Sequence, residues 1–256
     1  MNSSFRNPAI SRITALTAAL WLSLTSAAVA QDVVPAEILQ RTMLIKVGSV
    51  EGTAFSIDYE GKLYLVTAKH VVSGLAESNA TIQMRRGDRW KEVHTVKTLF
   101  PTSSDVDIAV FETSEWIKQP FQVAAMGGKE GPTFGQQVWF LGSPWGIHTR
   151  VSNGEAPFIK SGTMSAIDAT DTNAVVLYID GFNNPGFSGG PILYWDFRKH
   201  AYRLCGVVKG YRADTAKVLV NGQQVDTAFL VNSGILVGYS IEHAIQAIRQ
   251  GQKHQP

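Results

Sequence analysis

The sequence predicts an all-β protein that is divided into two β-domains, and three observations predict it. Most of the chain consists of short runs rich in β-branched and aromatic residues, separated by glycine, aspartate and asparagine. Helical periodicity is nearly absent until the last twenty residues. A glycine-rich stretch, residues 127–132, separates the strand-rich runs into two blocks. We therefore expect domains over residues 31–126 and 127–256, each an antiparallel sandwich or barrel.

The individual strands are predicted from runs of β-forming residues that end at turn residues. In chain order the predicted strands are Met43–Val47, Thr53–Asp58, Lys62–Thr67, Thr81–Arg85, Glu92–Phe100, Ile108–Glu112, Gln137–Leu141, Gly162–Ala166, Ala174–Ile179, Pro191–Tyr194, Leu204–Gly210 and Leu236–Ser240. After them, apolar residues recur at three- and four-residue spacing at Ile241, Ala244, Ile245 and Ile248. This spacing predicts one amphipathic helix that closes the chain.

Residues 1–30 have the three parts of a secretory signal peptide. Arg6 and Arg12 supply positive charge, an apolar stretch follows, and Ala28-Val29-Ala30 gives a small-x-small cleavage pattern. The alternative, a membrane anchor, is disfavoured because the apolar stretch is shorter than the about 20 residues that a span needs. We expect cleavage after Ala30 and a periplasmic or secreted protein that is not bound to a membrane afterwards.

The composition excludes several classes of protein. The chain of 256 residues is 45% hydrophobic and 17% charged, as in ordinary globular proteins. Without residues 1–30, 21 basic residues balance 21 acidic ones, so no nucleic-acid partner is indicated. Cys205, the only cysteine, lies in an apolar run and is expected to be a small buried side chain. The scattered histidines lack the spacing of a metal site, and no metal is predicted.

Ser188 lies in a glycine-rich turn, Asn184-Pro185-Gly186-Phe187-Ser188-Gly189-Gly190-Pro191, between two apolar runs. Glycine permits a turn in which the amides of Gly186 and Ser188 converge in front of the hydroxyl. A hydroxyl beside two converging N–H groups is what acyl transfer needs, namely a nucleophile and an oxyanion hole. The alternative is a structural turn between two strands.

Two further residues, both much earlier in the chain than Ser188, complete a pattern of acid, base and nucleophile. His70 follows a predicted strand in Thr67-Ala68-Lys69-His70-Val71-Val72, and Asp107 begins the run Asp107-Ile108-Ala109-Val110. The order His, Asp, Ser is one of the orders in which catalytic triads occur. Asp105 is the alternative acid. Each residue alone would have a structural explanation, but the three together favour catalysis.

These three blocks resemble the signature blocks of trypsin-like serine peptidases, and most of all those of the bacterial HtrA (Deg-type) branch. Two further pieces extend the resemblance, the Gly-rich strand at 52–55 and the loop Leu141-Gly142-Ser143-Pro144-Trp145-Gly146. The resemblance implies a chymotrypsin-like fold of two six-stranded antiparallel β-barrels, with the C-terminal helix after them. It also implies a serine endopeptidase that acts on proteins or peptides, needs no cofactor and leaves oligomerisation open.

The resemblance assigns roles to individual residues. Ser188 would attack the scissile carbonyl, His70 would transfer the proton, and Asp107 would orient the imidazole. The amides of Gly186 and Ser188 would form the oxyanion hole. The walls of the substrate pocket are expected from Phe182, Asn183 and Asn184 and from Val207, Val208 and Lys209. The apolar members of this set predict a medium or small apolar substrate side chain.

The sequence departs from the family pattern in four places. Phe187 puts a bulky ring before the nucleophile, which would narrow the cleft or shift the oxyanion loop. Lys69 puts a cation beside His70. The segment from Gly146 to Gly162 is longer than usual and would be able to cover the site. The chain ends too soon after the second barrel for an appended PDZ domain. The alternative function is therefore a silent or latent trypsin-like domain that binds peptides or a partner protein.

Overall fold

Antiparallel β-strands dominate the computed structural model, which describes residues 33–76, 78–113, 121–122, 131–147, 149–151 and 154–253. The predicted signal peptide and the boundary predicted at residues 126 and 127 lie outside the described residues. Two α-helices are present in the described ranges, α1 (Ala36–Leu39) near the start and α2 (Glu242–Lys253) at the end. None of the helices in these ranges is long and apolar enough to cross a membrane.

The first sheet is formed by the strands before residue 123. They are β1 (Thr42–Val47), β2 (Val50–Tyr59), β3 (Lys62–Thr67), β4 (Thr81–Arg86), β5 (Arg89–His94), β6 (Lys97–Leu99), β7 (Ala109–Glu112) and β8 (Phe121–Gln122). Their order is β5-β4-β1-β2-β3-β7-β6, and β8 pairs in parallel with β2.

The second sheet is built from later strands. The strands after residue 130 are β9 (Gln137–Gly142), β10 (Thr149–Val151), β11 (Gly154–Ala156), β12 (Phe158–Asp168), β13 (Val176–Asp180), β14 (Pro191–Asp196), β15 (Ala201–Val220) and β16 (Gln223–Ser240). Six of them close a barrel in the order β12-β13-β16-β15-β14-β9, whereas β10 and β11 form a separate hairpin. The predicted all-β, double-barrel fold with a C-terminal helix is confirmed.

The first sheet has eight strands instead of the predicted six, partly because the predicted strand Glu92–Phe100 is two strands. Up to His94 the chain pairs with β4, at Thr81. Two residues later the amide of Val96 donates to the carbonyl of Glu112, and β6 continues along β7. The chain exchanges one partner strand for another at this point, so the strand must end and restart.

Side-chain alternation in the first sheet sorts its residues into two cores. In β3, Leu65 points into a cluster within the first sheet, with Ile45, Ile82 and Phe111 among its members. Its neighbour Val66 points to the other side, into the larger cluster that also contains the second barrel and α2. Because successive residues of a strand face opposite sides, one sheet can serve both cores. This shared core packs the first sheet against the barrel and α2.

The C-terminal helix and the cysteine are also placed as predicted. The apolar stripe of α2 is buried at Ala244, Ile245 and Ile248. Cys205 is buried, and this burial raises the pKa of its thiol, so the sulfur stays protonated and inert.

Strands β15 and β16 continue far beyond the barrel. β14 accompanies β15 only as far as Val207, and β13 accompanies β16 only from Ile235 onward. Beyond these points the two strands pair only with each other, up to Val220 opposite Gln223. We call this projecting hairpin, residues 211–234, the arm. Its tip is a turn at Asn221-Gly222, where both residues have positive φ.

Candidate active site

His70 and Asp107 meet because β3 and β7 are neighbours in the first sheet. Thr67 at the end of β3 pairs with Ala109 at the start of β7. His70 lies just after β3, in the short 3₁₀ turn Lys69–Val72, and Asp107 lies just before β7. The backbone amide of His70 donates to one carboxylate oxygen of Asp107 at 2.9 Å, and the ring Nδ1 contacts the other at 2.5 Å.

The contact with Asp107 determines the state of the His70 ring. A carboxylate only accepts hydrogen bonds, so the ring must donate through Nδ1, and a neutral ring then carries its lone pair on Nε2. Burial raises the pKa of Asp107, but the hydrogen bonds and the charge of His70, with the charge of Lys209, outweigh burial and lower it. Asp107 is therefore ionised at neutral pH and can stabilise an imidazolium.

The structure also distinguishes the two candidate acids. The carboxylate that contacts the His70 ring is that of Asp107. Asp105 instead contributes its backbone, whose carbonyl accepts a 2.6 Å hydrogen bond from the hydroxyl of Tyr239. The ammonium of Lys69, the neighbouring cation, lies over the ring of Phe100 at 5.7 Å from its centre.

Ser188 is brought to the same place by the turn between β13 and β14. Its carbonyl accepts a 2.8 Å hydrogen bond from the amide of Thr53 in β2, which ties the turn to the first sheet. Ser188, His70 and Asp107 all line one cleft of about 830 Å³. The hydroxyl of Ser188 donates to the carbonyl of Lys209 at 3.0 Å rather than to the His70 ring.

In two peptide units of this turn, the carbonyl is fixed by a backbone hydrogen bond. The carbonyl of Pro185 accepts from the amide of Trp145 at 2.8 Å, and that of Phe187 accepts from Gly190 at 2.9 Å. In a trans peptide the N–H points opposite to the C=O. The N–H groups that follow, those of Gly186 and Ser188, are thereby directed away from these bonds, and neither has an acceptor among the described residues.

Gly186 allows this arrangement. Its φ is +99°, in the range that favours glycine, and a Cβ at this position would collide with the carbonyl of Ser143.

Thr53, which the sequence analysis did not select, connects the turn that carries Ser188 to the loop at 143–146. Its hydroxyl donates to the carbonyl of Gly186 at 2.6 Å and accepts from the amide of Ser143 at 3.1 Å. The side chain is fully buried, so water does not replace either bond. The only sequence signal for this role is its position in the Gly-rich strand before His70.

We expect Thr53→Val to destabilise the protein by about 1–3 kcal/mol. One buried and one partly buried backbone group lose their partner, while the side-chain volume is nearly conserved. Urea unfolding measures this change in the free energy of unfolding. Thr53→Ser is the control, since it keeps the hydroxyl and should stay closer to wild type. A Thr53→Val protein as stable as wild type would contradict this role.

The ring of Phe187 packs in the core and does not lie in the cleft. It is fully buried and packs edge-on against Phe140, with ring centres 5.5 Å apart. Gly142 makes room for it, because a Cβ at Gly142 would come within 2.6 Å of the Phe187 ring. Phe187 therefore anchors the Ser188 turn to the core and does not narrow the cleft.

The six predicted pocket residues separate into two groups. Asn183, Asn184 and Lys209 line the cleft, together with Tyr211 and Arg212, which the sequence analysis missed. Val207 and Val208 are fully buried, because both faces of β15 are packed within the core at this point. Phe182 is exposed, and its ring lies 5.5 Å from the ammonium of Lys160. We therefore leave these last three residues out of the proposed pocket.

The segment after Gly146 folds into the β10–β11 hairpin instead of contributing to the cleft. Arg150 in β10 forms an ion pair with Asp88 in the turn between β4 and β5. None of the described residues of this hairpin lines the cleft. The described part of the segment thus contacts the first sheet through this ion pair.

A closed six-stranded barrel packed against a second antiparallel sheet, with a cleft at their joined loops, defines the chymotrypsin-like class of folds. A family model described as a trypsin-like peptidase domain matches residues 52–197, which is more than half of the chain. The chain belongs to this family.

Curated relatives place the chain near the HtrA branch. It is 27% identical over 151 residues to the serine protease Do-like HtrA of Bacillus subtilis. The aligned region covers 58% of this chain and 31% of that protein. It is 32% identical over 146 residues to the Do-like HtrB of the same organism, covering 56% and 29%. The chain thus matches less than a third of the length of these relatives.

Solved structures share the fold. The active form of the Rv3671c protease from M. tuberculosis superposes with a TM-score of 0.55 at 18% identity, covering 85% of this chain and 83% of that one. The HtrA-type protease AlgW with a tripeptide superposes with a TM-score of 0.54 at 19% identity, covering 86% and 64%.

Proposed function

We propose that the protein is a serine endopeptidase that hydrolyses peptide bonds through an acyl-enzyme intermediate. The observation that carries the proposal is the His70 ring, bonded through Nδ1 to the carboxylate of Asp107 and facing the same cleft as Ser188. Two amides without described acceptors, those of Gly186 and Ser188, accompany this arrangement. Membership of the trypsin-like peptidase family supports proteins or peptides as the substrates.

Each group has a defined role in the proposed reaction. The Ser188 oxygen attacks the scissile carbonyl while Nε2 of His70 takes the hydroxyl proton. The negative charge that develops on the carbonyl oxygen is bound by the amides of Gly186 and Ser188. His70 then donates its proton to the leaving amine, and a water molecule that His70 activates hydrolyses the ester on Ser188.

The bond between Ser188 and Lys209 fits this reaction when a peptide is bound. The Lys209 carbonyl is directed toward the cleft, where β15 has passed the end of β14. An extended peptide that adds to this strand edge can donate an N–H to the Lys209 carbonyl. In this proposal the Ser188 hydroxyl is then released from Lys209 and becomes available to His70.

The charges in the cleft indicate which substrates are disfavoured. Lys209 and Arg212 are the cations among the described lining residues, and Asp107, the carboxylate among them, is engaged by His70. No free carboxylate in this lining is placed to bind an arginine or lysine side chain. We therefore propose a preference for uncharged or acidic residues at the cleaved position.

The predicted signal at residues 1–30 supports a further part of the proposal, that the peptidase acts in the periplasm or outside the cell.

The second candidate function is a latent or silent domain of the same family that binds peptides without cleaving them. One observation favours it, the hydrogen bond of Ser188 to Lys209 in place of one to His70. In this function the hydroxyl would stay on the Lys209 carbonyl after a peptide binds.

Labelling of residues 31–256 with a fluorophosphonate, followed by peptide mapping, separates the two functions. Such a probe reacts with an activated serine, so the peptidase is expected to be modified at Ser188 within minutes. His70→Ala should abolish the labelling because it removes the base. His94→Ala is the matched control, since His94 is an exposed histidine of the same sheet and does not line the cleft. A folded protein that stays unlabelled would favour the latent or silent domain.

A further inference from the structure

The outer edge of β15 leads from the cleft into the arm without interruption. Tyr211 and Arg212, the first residues of the arm, line the cleft together with Ser188. Strand β14 pairs with β15 only up to Val207, so beyond the cleft β16 is the one described strand beside β15. The edge of β15 that faces away from β16 is therefore open to a further strand.

This open edge presents backbone groups to the outside at every second residue. The carbonyl of Arg212 accepts a 2.7 Å hydrogen bond from the hydroxyl of Ser233 in β16, so the backbone of Arg212 faces β16. Because the backbone groups of successive strand residues point to alternate sides, the outward-facing residues are Tyr211, Ala213, Thr215 and Lys217. Among them the amide of Thr215 has a described acceptor, the exposed carboxylate of Asp214 at 2.7 Å. A charged side chain here limits indiscriminate pairing, and an incoming strand can replace this exposed bond.

Strand β15 is the regular strand of the arm. Its residues 213–217 pair one to one with residues 228–232 of β16. The register shifts on either side of this stretch, and the extra residues, 225–227 and 233–235, both belong to β16. None of residues 211–220 has positive φ, so β15 stays extended past both shifts. Its outer edge is therefore a continuous template for another strand.

Both faces of the arm place small side chains of β15 beside large exposed ones of β16. Thr215 stands opposite Leu230, which is 75% exposed, and Ala216 stands opposite Phe229, which is 54% exposed. Leu230 and Phe229 are adjacent and therefore point to opposite faces. A third strand on the edge of β15 would carry side chains next to both apolar groups. A two-stranded hairpin is only marginally stable in water, whereas three strands with an apolar face are stable.

We propose that this edge is an extended substrate site, on which the polypeptide before the cleaved bond pairs antiparallel with β15 from the cleft out to Lys217. The inference rests on the proposed function and specifies its substrates as unfolded segments that can become an extended strand. The substrate is the occupant because the edge is continuous with the cleft in which Ser188 lies.

The position of Ser188 sets the register of this pairing. Its hydroxyl is 3.0 Å from the Lys209 carbonyl, so the substrate residue whose N–H binds that carbonyl is the one whose own carbonyl Ser188 attacks. Counted from this residue toward the amino terminus of the substrate, the third lies opposite Tyr211 and the ninth opposite Lys217. The site thus takes about nine residues before the cleaved bond, with apolar ones favoured at the seventh and eighth, on the two apolar faces.

The first experiment measures kcat/KM of wild type, residues 31–256, on peptide aminomethylcoumarins of increasing length. The nine-residue probe is Thr-Leu-Val-Ser-Thr-Ser-Ser-Val-Ala, and the others are its last three, five and seven residues. We expect kcat/KM for coumarin release to rise about tenfold or more from three to nine residues, since each cross-strand pair stabilises the sheet.

A shortened arm shows where the site ends. In this variant an Asn-Gly turn replaces residues 214–231 and joins Ala213 to Asn232, which already face each other across the hairpin. Its kcat/KM should level off at five residues, because longer probes find no strand to pair with. An unchanged kcat/KM on the three-residue probe shows that the variant folds.

The second experiment blocks the edge with Ala213→Pro, which removes one outward N–H and no hydrogen bond within the arm. The advantage of the nine-residue probe over the three-residue probe should then be lost. Ala228→Pro is the matched control on the outer edge of β16. Ala228 stands opposite the outward-facing Lys217, and residues directly opposite each other in an antiparallel pair face alike. This control should keep the advantage of the long probe.

Equal kcat/KM for all probes in wild type, or a length effect that survives in the shortened arm, would overturn the proposal. So would an equal fall in the two proline variants, because the edge of β15 would then not be the site. An arm-dependent dimer in analytical ultracentrifugation, or arm-dependent binding to vesicles, without a length effect would assign the surface to a second copy or to a membrane instead.

A binding measurement separates failure of this site from failure of the proposed function. If no probe is cleaved, the peptidase function fails, and fluorescence anisotropy of the labelled nine-residue peptide with Ser188→Ala still tests the site. Adding Ala213→Pro should raise the Kd about tenfold, whereas adding Ala228→Pro should leave it unchanged. A Kd that neither proline changes would overturn the extended site in a peptidase and in a binding domain alike.

Discussion

Ser188→Ala is expected to lower the kcat of peptide hydrolysis by about 10⁶-fold and to leave the fold unchanged. Removal of a nucleophile that acts together with a base typically has an effect of this size. Little stability should be lost, since the hydroxyl makes one hydrogen bond, to the Lys209 carbonyl, at the wall of a cleft that water can enter. The free energy of unfolding should change by less than about 1 kcal/mol.

The measurement is hydrolysis of an unfolded protein substrate, followed by the appearance of new amino termini. Ser165→Ala is the matched control, because Ser165 is exposed and its hydroxyl donates to the nearby carbonyl of Thr163. This variant should cleave like wild type. A Ser188→Ala protein with a hundredth or more of the wild-type rate would mean that another group is the nucleophile.

Asp107→Asn is expected to lower kcat by about 10⁴-fold, through the state of the His70 ring and not through its position. An asparagine side chain can donate to Nδ1, which would move the ring proton to Nε2 and remove the lone pair that should accept the Ser188 proton. Asp105→Asn lies in the same loop but contributes its backbone carbonyl to Tyr239, so it serves as the control with near-normal activity. A similar loss in both variants would assign the effect to the loop.

The same substitution has a pH signature in stability. The pKa of Asp107 lies below its ordinary value of 3.8 in the folded protein, so its ionised form contributes stability above pH 3.8. This contribution is lost as the pH falls through the lowered pKa. The difference in unfolding free energy between wild type and Asp107→Asn should therefore shrink on acidification below pH 4. A difference that is constant with pH would contradict the ionised state of Asp107.

The sequence predicts best what depends on local pattern. The runs from Met43 to Thr67 are rich in β-forming residues and end at turn residues, and the strands predicted from them agree with β1–β3 within a few residues. The positions of His70, Asp107 and Ser188 follow from the residues at strand ends and from the glycine-rich turn. The structure brings these three residues to one cleft, and their catalytic roles remain our proposal.

Features that depend on three-dimensional neighbours were not predicted. Strands were predicted only up to Gly210 and from Leu236, although Asn221-Gly222 is a strong hairpin signal, because no buried face marks the arm. The sequence also does not show that the ring of Phe187 points into the core instead of the cleft. It depends on the space at Gly142, a residue of another strand. Thr53 bonds to backbone groups that are distant in the chain, so the sequence around Thr53 contains no signal for this role.

The contact between Phe187 and Gly142 links the choice of amino acid at two positions that lie 45 residues apart. A ring at 187 is accommodated only while residue 142 has no side chain, because the ring occupies the space of its Cβ. A small residue at 187 would release this restriction and leave a void beside Phe140 for a larger side chain at 142 to fill. These two positions should therefore change together during evolution, and a homologue that keeps an aromatic residue before its nucleophile should also keep the glycine.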